Sequence, residues 1–358
     1  MTLPKGSNIS SKARERATKE RLAQFVSCLA PFRRDHLQAF LDGHQLSRSG
    51  SKAQLLERIR DALLSENITE EDIFVFLGKV EPLDKQHVFL LAGPEGKLKS
   101  WTERSAFRKK LKSYPCAALL DAPLSLLLPS EMTLASIQHQ DSSLEISAFC
   151  RRDTIDRRPD NDKVAIENDE TILYQAYHRT SSRGLIRFHW NFTSNTAILQ
   201  VGQLPSRGNY EREMHTFAEL VAPWLDLNLF SAIDLSRAIS TFHALENTEE
   251  AETRSQEIDY SVEGRRVSGK AATASDPLLG VAIVDHALSS FRQKGIGYAG
   301  NFYFQPTTSP TNPISEGQEV HVQILAEKDR VRFFTANTEE VFSYVLQRIR
   351  AASQRQPR

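Results

Sequence analysis

The sequence predicts an α+β protein with a small N-terminal helical domain, followed by one or two α+β domains built on antiparallel sheets. Three observations predict this class. Apolar residues repeat at helical spacing in the first 68 residues, they alternate with polar residues between positions 143 and 204, and both patterns recur after position 276. The 358 residues are enough for two or three domains that each bury a core.

Three helices are predicted in the N-terminal segment, residues 1–68. Apolar residues three or four positions apart lie on one face of each helix. Pro31 ends the first helix, and a turn rich in Ser and Gly separates the second from the third. The residues expected to face inward are Leu22, Phe25, Val26, Leu29, Leu37, Phe40, Leu41, Leu55, Leu56, Ile59 and Leu63.

Residues 69–130 are predicted to form a mixed connector of helix and strand. Residues 70–80 have helical spacing, and QHVFLLAG (86–93) is a short apolar run that ends before Pro94, which is typical of a buried strand. A basic segment follows, with seven Lys and Arg residues and one acid between positions 97 and 112. Its cations form either a solvated helix face or a second anion-binding surface.

Alternating apolar and polar residues predict an antiparallel meander between positions 143 and 204, within a segment that spans residues 131–245. Helices are predicted after it, at about 208–222 and 232–245. The predicted turns of the meander are SSRG and TSN. Its predicted strands are SLEISAFCRRDTI, TILYQAYHRT, GLIRFHWNFT and TAILQVGQL.

Residues 246–275 are acidic at first and then small and polar, with few large apolar residues. This composition predicts a flexible linker or loop. Residues 276–358 are predicted to form an α+β C-terminal part. Its predicted elements are a helix at 277–293, a strand at 298–305, the strands EVHVQILA and RVRFFTA, and a closing helix at about 338–352.

Charge is unevenly distributed, although 45 basic and 45 acidic residues balance overall. Residues 1–60 contain twelve Lys and Arg against five Asp and Glu, so this end favours anionic partners. Three widely spaced cysteines argue against a zinc knuckle or a disulfide framework. No apolar run is long enough for a membrane span, and the N-terminus lacks the apolar region of a signal peptide. We expect a protein without membrane partners or cofactors, cytoplasmic and nucleoid-associated in a bacterium or nuclear in a eukaryote.

The most informative stretch is LSRSGSKAQLLERI, which begins at position 46. Ser51 followed by Gln54 is a capping-box pattern, which places a helix start at the serines. Gly50 has no side chain, so a phosphate can approach the free backbone N–H groups at the positive end of the helix dipole. Cations stand on both sides of this glycine. The stretch therefore predicts an anion-binding helix start.

Spaced leucines surround this turn, and the combined pattern is Leu37, Leu41, Leu46, Ser49, Gly50, Lys52, Leu55, Arg58 and Ile59. Over residues of about 34–64 it resembles the SAP motif, a short helix-turn-helix DNA-binding element. The resemblance implies a leucine core and a turn that contacts the phosphate backbone of duplex DNA, often AT-rich. Arg58 is either part of a structural ion pair or a DNA contact. Gln45 departs from the motif, which usually has Gly before the leucine. The implied backbone contacts are Arg48, Ser49, Gly50, Ser51 and Lys52.

One such turn neutralises few phosphates, so we expect it to bind DNA weakly by itself. Basic residues elsewhere are candidates for additional contacts, although an ordinary solvated helix explains them as well. These candidates are Arg14, Lys19 and Arg21 in the first helix, and Arg108, Lys109 and Lys110 in the basic segment.

Familiar catalytic motifs are missing from the sequence: it has no G-x-S-x-G elbow, no Walker loop and no H-E-x-x-H. KGIGYAG (294–300) matches G-x-G-x-x-G, but it follows a predicted helix and precedes a predicted strand, which is the reverse of a dinucleotide site. We interpret it as the end of a helix.

Acidic residues between two predicted strands are candidate ligands for a metal-dependent nuclease, although a polar hairpin loop explains them more simply. His178 and His189 are predicted to be near neighbours across a turn, but two imidazoles do not complete a metal site. The acidic segment and its lysine comprise Asp160, Asp162, Lys163, Glu167, Asp169 and Glu170.

Aromatic residues of the meander either stack on nucleic-acid bases or pack in a core, and packing is their usual role in strands. They are Tyr174, Tyr177, Phe188, Trp190 and Phe192.

Three functions are compatible with these patterns. The preferred one is a non-catalytic DNA-associated protein, whose SAP-like head contacts duplex DNA and whose α+β body binds a protein partner or assembles with itself. The second is a protein–protein adaptor that does not bind nucleic acid. The third is a divergent metal-dependent nuclease, although catalysis is not the expected role.

Overall fold

The computed structural model describes residues 11–96, 98–168, 170–205, 208–246, 248–273 and 275–355, with side chains from Thr18 onward except that of Glu167. Its α-helices are α1 (Ser11–Leu29), α2 (Arg34–Gly43), α3 (Lys52–Leu64), α4 (Glu70–Val80), α5 (Lys99–Thr102), α6 (Arg104–Leu111), α7 (Tyr210–Val221), α8 (Ser236–Leu245), α9 (Ala282–Lys294) and α10 (Glu339–Gln354). Its strands are β1 (Gln86–Ala92), β2 (Thr133–His139), β3 (Ser143–Arg157), β4 (Lys163–Glu167), β5 (Glu170–Tyr174), β6 (Tyr177–Asn191), β7 (Thr196–Gly202), β8 (Ser231–Ala232), β9 (Thr253–Val262), β10 (Arg265–Lys270), β11 (Ile296–Phe304), β12 (Val320–Leu325) and β13 (Arg330–Phe333).

One large antiparallel sheet organises the chain. Its strand order is β10-β9-β11-β12-β13-β1-β7-β6-β3-β2, and the short β8 pairs with the end of β1. The strands β4 and β5 form a separate two-stranded ribbon. The predicted α+β class with antiparallel sheets is confirmed. Because β1 lies at the centre, the predicted middle and C-terminal segments share this one sheet.

Helices pack on one face of the C-terminal half of the sheet. Val88 of β1, Val331 of β13 and Ile324 of β12 lie in one cross-strand row, and all three are fully buried. Ile239 of α8 and Val345 of α10 belong to the same core. We call this side of the sheet the Val88 face.

Helices pack on the opposite face in the N-terminal half. Phe89 of β1, Leu199 of β7 and Phe188 of β6 form a second buried row. Phe107 of α6 and Phe217 of α7 cover that row. Because successive residues of a strand point to opposite sides, this Phe89 face is the reverse of the Val88 face.

The four N-terminal helices form a helical head. The three predicted helices are present as α1, α2 and α3, and Leu37, Leu55 and Ile59 are fully buried among them. Helix α4 was also predicted, and its Ile73 and Leu77 enter the same core. The helices pack through apolar faces because α2 and α3 carry them at helical spacing.

A buried ion pair joins the head to the sheet. Arg183 on β6 donates to the Glu81 carboxylate at 2.8 Å, and both side chains are less than a tenth exposed. The Arg183 guanidinium also lies 3.4 Å from the ring centroid of Phe149 on β3 and 5.9 Å from that of Phe74 on α4. Ile186 of β6 belongs to the Phe89-face core. Arg183 is three positions away on the same strand, so its side chain points to the opposite side, the Val88 face. The head therefore docks on the Val88 face of the N-terminal half.

The predicted flexible linker over 246–275 is wrong for most of its length. Residues 253–262 and 265–270 are the strands β9 and β10, and Ile258 and Tyr260 are fully buried. Polar residues in this segment have partners on elements outside it: His243 of α8 bonds the Tyr260 hydroxyl, and Asn301 of β11 donates to Glu257 at 2.9 Å. Composition alone misses such partners because they come from other parts of the chain.

The predicted SSRG turn is also wrong, because β6 runs without a break from residue 177 to 191. Ser181 donates to Asp153 of β3 at 2.6 Å, and Gly184 makes room for the buried Arg152 guanidinium. A side chain at Gly184 would clash with that group, so glycine here serves packing rather than turning. The predicted TSN turn between β6 and β7 is confirmed, whereas β2 was not predicted.

The predicted strands EVHVQILA and RVRFFTA are present as β12 and β13, and the predicted closing helix is α10. Thr338 caps this helix by accepting a bond from the Val341 amide. None of the described helices combines the length and apolarity that a bilayer span requires.

Glu81→Leu should lower the free energy of unfolding by about 3–5 kcal/mol, because it leaves the Arg183 guanidinium buried without a counter-charge. Glu81→Leu combined with Arg183→Met should recover much of that loss. Urea denaturation measures both values. Arg60→Ala removes a solvent-exposed ion pair and should leave the free energy of unfolding nearly unchanged. A Glu81→Leu protein as stable as the native chain would contradict the assigned role of the pair.

His243 should make stability fall in acid. Burial, and then the Arg292 charge, lowers the pKa of His243 to about 4. The unfolded chain binds this proton below about pH 6.5 and the folded chain does not, so the native state loses stability as pH falls towards 4. The destabilisation caused by His243→Gln should therefore shrink by about 2 kcal/mol between pH 7 and pH 5. Urea midpoints at several pH values test this, and a destabilisation independent of pH would count against it.

Candidate nucleic-acid interface

The turn between α2 and α3 ends in a complete capping box. The Ser51 hydroxyl accepts a hydrogen bond from the Gln54 amide at 3.4 Å, and the Gln54 side chain accepts one from the Ser51 amide at 2.7 Å. The predicted capping box is therefore present, and α3 begins at Lys52. Two of the four N–H groups at the helix start are satisfied in this way. Those of Lys52 and Ala53 have no acceptor among the described residues.

Side chains hold the carbonyl groups of the turn. Arg58 donates to the carbonyl oxygens of Ser47 at 2.6 Å and Ser49 at 3.0 Å. Gln38 of α2 donates to the carbonyl oxygen of Arg48 at 2.8 Å. In a trans peptide the N–H points away from the C=O, so the amides that follow these carbonyls face the other way. The amides of Arg48 and Gly50 thus point away from Arg58, whereas the Ser49 amide donates to the Ser47 hydroxyl at 3.5 Å.

Arg58 was predicted either to join a structural ion pair or to contact DNA. Its observed role is structural, but its bonds go to backbone carbonyls rather than to a carboxylate. The contribution of Gln38 was missed altogether. Nothing in the local pattern reveals it, because the two bonded residues are ten positions apart and meet only when α2 packs beside the turn.

Two backbone conformations in the turn are left-handed. Gly50 has φ of 114°, and a Cβ there would lie 2.7 Å from the Gln54 side-chain oxygen. Gln45 has φ of 59°, at the position where the SAP motif usually has glycine. Gln45 therefore adopts the left-handed conformation that glycine usually adopts there. Because Gln45 has a Cβ, this conformation strains its backbone.

The predicted contact residues Arg48, Ser49, Gly50, Ser51 and Lys52 lie together at the start of α3. The Arg48 side chain is 69% exposed, and its nearest carboxylate, that of Asp42, is 3.8 Å away. Lys52 makes no hydrogen bond or ion pair with the residues that the structure describes. Both cations thus stand beside the unsatisfied N–H groups at the positive end of the helix dipole.

The other predicted basic contacts belong to α1 and α6 rather than to this turn. The side chain of Arg14 lies outside the described part of the chain. Lys19 is exposed, and Arg21 pairs with Glu70 across the head. These two cations are on α1, whereas the predicted contacts of the basic segment are on α6.

The basic segment packs on the Phe89 face, away from the head. Arg108 lies 3.6 Å from Asp121, and Lys110 lies over the Trp101 ring at 4.8 Å. Lys109 is exposed on the same helix. Two of the three predicted cations of this segment therefore have partners of their own.

The acidic segment forms a polar hairpin rather than a recognisable metal centre. Asp162 pairs with Arg157 and accepts the Ala176 amide at 2.9 Å, which holds the base of the β4–β5 ribbon. Asp169 and the Glu167 side chain lie outside the described part. Across the described residues, no group of three His, Cys, Asp or Glu side chains is placed to hold a metal ion.

His178 and His189 are not neighbours, so that prediction is wrong. Both lie on β6, where they pair with Asp156 and Glu145 of β3 respectively. Eleven residues of extended strand separate them, which corresponds to roughly 36 Å. The missed continuity of β6 is the reason for the error.

Aromatic residues of the meander divide between core and surface. Phe188, Trp190 and Phe192 are buried in the Phe89-face core, as the packing interpretation predicts. Tyr174 and Tyr177 are exposed at the ribbon end, where Arg157 lies over the Tyr177 ring.

KGIGYAG is a helix-to-strand junction, as predicted. The Gly295 amide bonds to the Phe291 carbonyl at the end of α9, and β11 begins at the next residue. A Cβ on Gly297 would lie 2.5 Å from the Ser236 carbonyl, so this glycine allows α8 to approach the sheet closely.

A cavity of about 1230 Å³ lies between α8, the start of β11 and the end of α10. Arg237, Arg292 and Arg355 line it together with Asp234 and Glu327. Because its walls carry both signs of charge, we assign it no ligand.

No protein-family model matches the chain, and no curated protein matches it significantly. We therefore infer function from the geometry of the sites themselves.

Gly50→Ala should lower the free energy of unfolding by about 1–3 kcal/mol, because alanine is strained at this φ and its Cβ displaces the Gln54 side chain from the capping box. Gly43→Ala is the matched control, since a Cβ there meets no atom within 4 Å and its backbone is helical. That control should leave stability unchanged or raise it slightly. Equal effects of the two substitutions in urea denaturation would show that the turn does not require glycine.

Proposed function

We propose that the chain is a non-catalytic DNA-associated protein whose head contacts the phosphate backbone of duplex DNA at the start of α3. One observation carries this proposal: unsatisfied N–H groups and two cations converge at one helix N-terminus. Lys52 has no ion pair among the described residues, and Arg48 is 69% exposed with only a long ion pair, at 3.8 Å, to Asp42. Helix starts of this kind bind phosphate because the N–H groups point at the ligand and the dipole favours negative charge.

The fixed shape of the turn favours a phosphate contact over base recognition. Arg58 and Gln38 order the backbone before any ligand arrives, so binding costs little further conformational entropy. Backbone contacts position a protein on DNA without reading its sequence. We therefore expect weak binding with a strong dependence on salt and little sequence preference.

The β4–β5 ribbon supports the second part of the proposal, in which the body binds a protein partner or a second copy. Val164 and Leu173 pair across the ribbon, and with Ile166 they form one apolar face. These side chains are 67%, 57% and 77% exposed, respectively. Two-stranded ribbons are marginally stable alone, and a group of exposed apolar side chains is typical of a protein contact.

Arg48→Glu combined with Lys52→Glu should weaken binding of a labelled 16-bp duplex to the full-length chain by at least about tenfold at 50 mM salt, and should lower the slope of log K against log salt by about 2. Fluorescence anisotropy across a salt series measures both quantities. The slope falls because two fewer counterions are released when two phosphate contacts are lost.

Arg34→Glu combined with Lys79→Glu makes the same charge change at exposed positions of the head outside the turn. This control should retain most of the affinity. Native protein that fails to bind DNA even at low salt would contradict the proposal and favour the adaptor function instead.

A further inference from the structure

The C-terminal half of the sheet carries a polar row on its Phe89 face, opposite the core formed with α8 and α10. Arg332 of β13 lies between His87 of β1 and Gln323 of β12, and Asn301 of β11 and Glu257 of β9 continue the row. All except His87 are half-exposed. We call this surface the polar sheet face.

Three rings on the polar sheet face stack across neighbouring strands. The ring centroids of Tyr303 and His321 are 4.4 Å apart, and those of His321 and Phe334 are 4.1 Å apart, with interplanar angles of 8° and 12°. Arg254 lies over the outer side of the stack at Tyr303, at 4.3 Å, and Arg332 lies over Phe334 at 4.2 Å. The stack therefore runs from one arginine to another.

This arrangement leaves no free ring face for a ligand to stack on. His321 is covered on both sides by rings, and each outer ring is in contact with a guanidinium. Planar guanidinium groups held on rings are pre-organised to donate two parallel hydrogen bonds to an oxyanion. The chemistry thus favours phosphate groups over nucleic-acid bases.

The two ends of the stack differ in charge. Arg254 is paired with Glu319 at 3.0 Å. Arg332 has no carboxylate within 4 Å among the described residues, and the same holds for Arg330, whose guanidinium lies 4.9 Å from the Tyr210 ring centroid. Two arginines without an ion pair among the described residues therefore lie two positions apart at the β13 end, and the charges of Glu211 and Glu327 act on Arg330 from beyond ion-pair distance.

A buried polar atom adjoins these two arginines. His87 is only 5% exposed, its ring lies 3.9 Å from that of Tyr210, and its Nδ1 has no hydrogen-bond partner. Burial, and then the charges of Arg330 and Arg332, lowers the pKa of His87 to about 3, so the imidazole is neutral near pH 7.

We propose that Arg330 and Arg332, with His87 beside them, form a second binding site for nucleic-acid backbone phosphate. The proposal extends the DNA-binding function assigned to the head and rests on it for the choice of nucleic acid as the phosphate source. The head docks on the Val88 face, and this site is on the Phe89 face, so the two sites face opposite sides of the sheet. One chain then binds two separate duplex segments.

The test uses full-length protein and a labelled 16-bp duplex. Fluorescence anisotropy at protein concentrations well above Kd gives the number of duplexes bound per chain, and a salt series gives the affinity and its salt dependence. Native protein should bind two duplexes per chain. The variant with Arg330→Gln and Arg332→Gln should bind one duplex per chain, and the slope of log K against log salt, summed over the binding sites, should fall by about 2. The control variant with Arg237→Gln and Arg265→Gln loses the same charge at exposed positions elsewhere and should still bind two duplexes per chain.

The single substitution Arg332→Gln keeps the test decisive if the double variant does not fold, because it removes only the contact with Phe334 and should still lower the salt slope by about 1. Unchanged stoichiometry and slope in folded variants would overturn the second site and leave the head assignment intact. A third outcome is that Arg330→Gln combined with Arg332→Gln abolishes DNA binding, whereas Arg48→Glu combined with Lys52→Glu leaves it unchanged. That result would support the site on the polar sheet face and overturn the function assigned to the head.

Discussion

The fold depends on the requirement that β1 bury both of its sides. Val88 and Leu90 enter the core of the C-terminal half, whereas Phe89 enters the core of the N-terminal half. Since neighbouring residues of a strand point to opposite faces, the helices of the two halves must lie on opposite sides of the sheet. This arrangement leaves one uncovered face in each half. The head docks on one of them, and the other is the polar sheet face.

The same division explains where charge is neutralised and where it is not. At the junction between head and sheet, Arg183 is buried and has Glu81 as its partner, because a buried charge without a partner is very costly. On the polar sheet face, Arg332 is held on the Phe334 ring and has no carboxylate within 4 Å among the described residues. At the turn, Arg48 is 69% exposed and its Asp42 partner is 3.8 Å away, so both arginines are available to an external anion.

Local signals in the sequence were sufficient for the helices of the head and for most strands. The capping box at Ser51 and Gln54 was predicted because both partners lie within four residues. The strand β9 was missed because Arg254 and Glu257 have partners far away in the chain, at Glu319 and Asn301. The strand β6 was divided because Gly184 was taken for a turn residue. In the candidate site, the contact residues were predicted from the turn itself. The bonds from Arg58 and Gln38 that shape it were not, because they form only after α2 and α3 have packed.

Phosphate binding at the start of α3 should be visible in the amide signals of the turn. Uniformly ¹⁵N-labelled full-length protein would be titrated with unlabelled 16-bp duplex, and amide shifts would be followed by NMR. We expect the largest changes in the head at the amides of Gly50, Lys52 and Ala53, and we expect them to reverse when salt is raised. DNA binding that leaves these three amides unperturbed would contradict phosphate binding at this site.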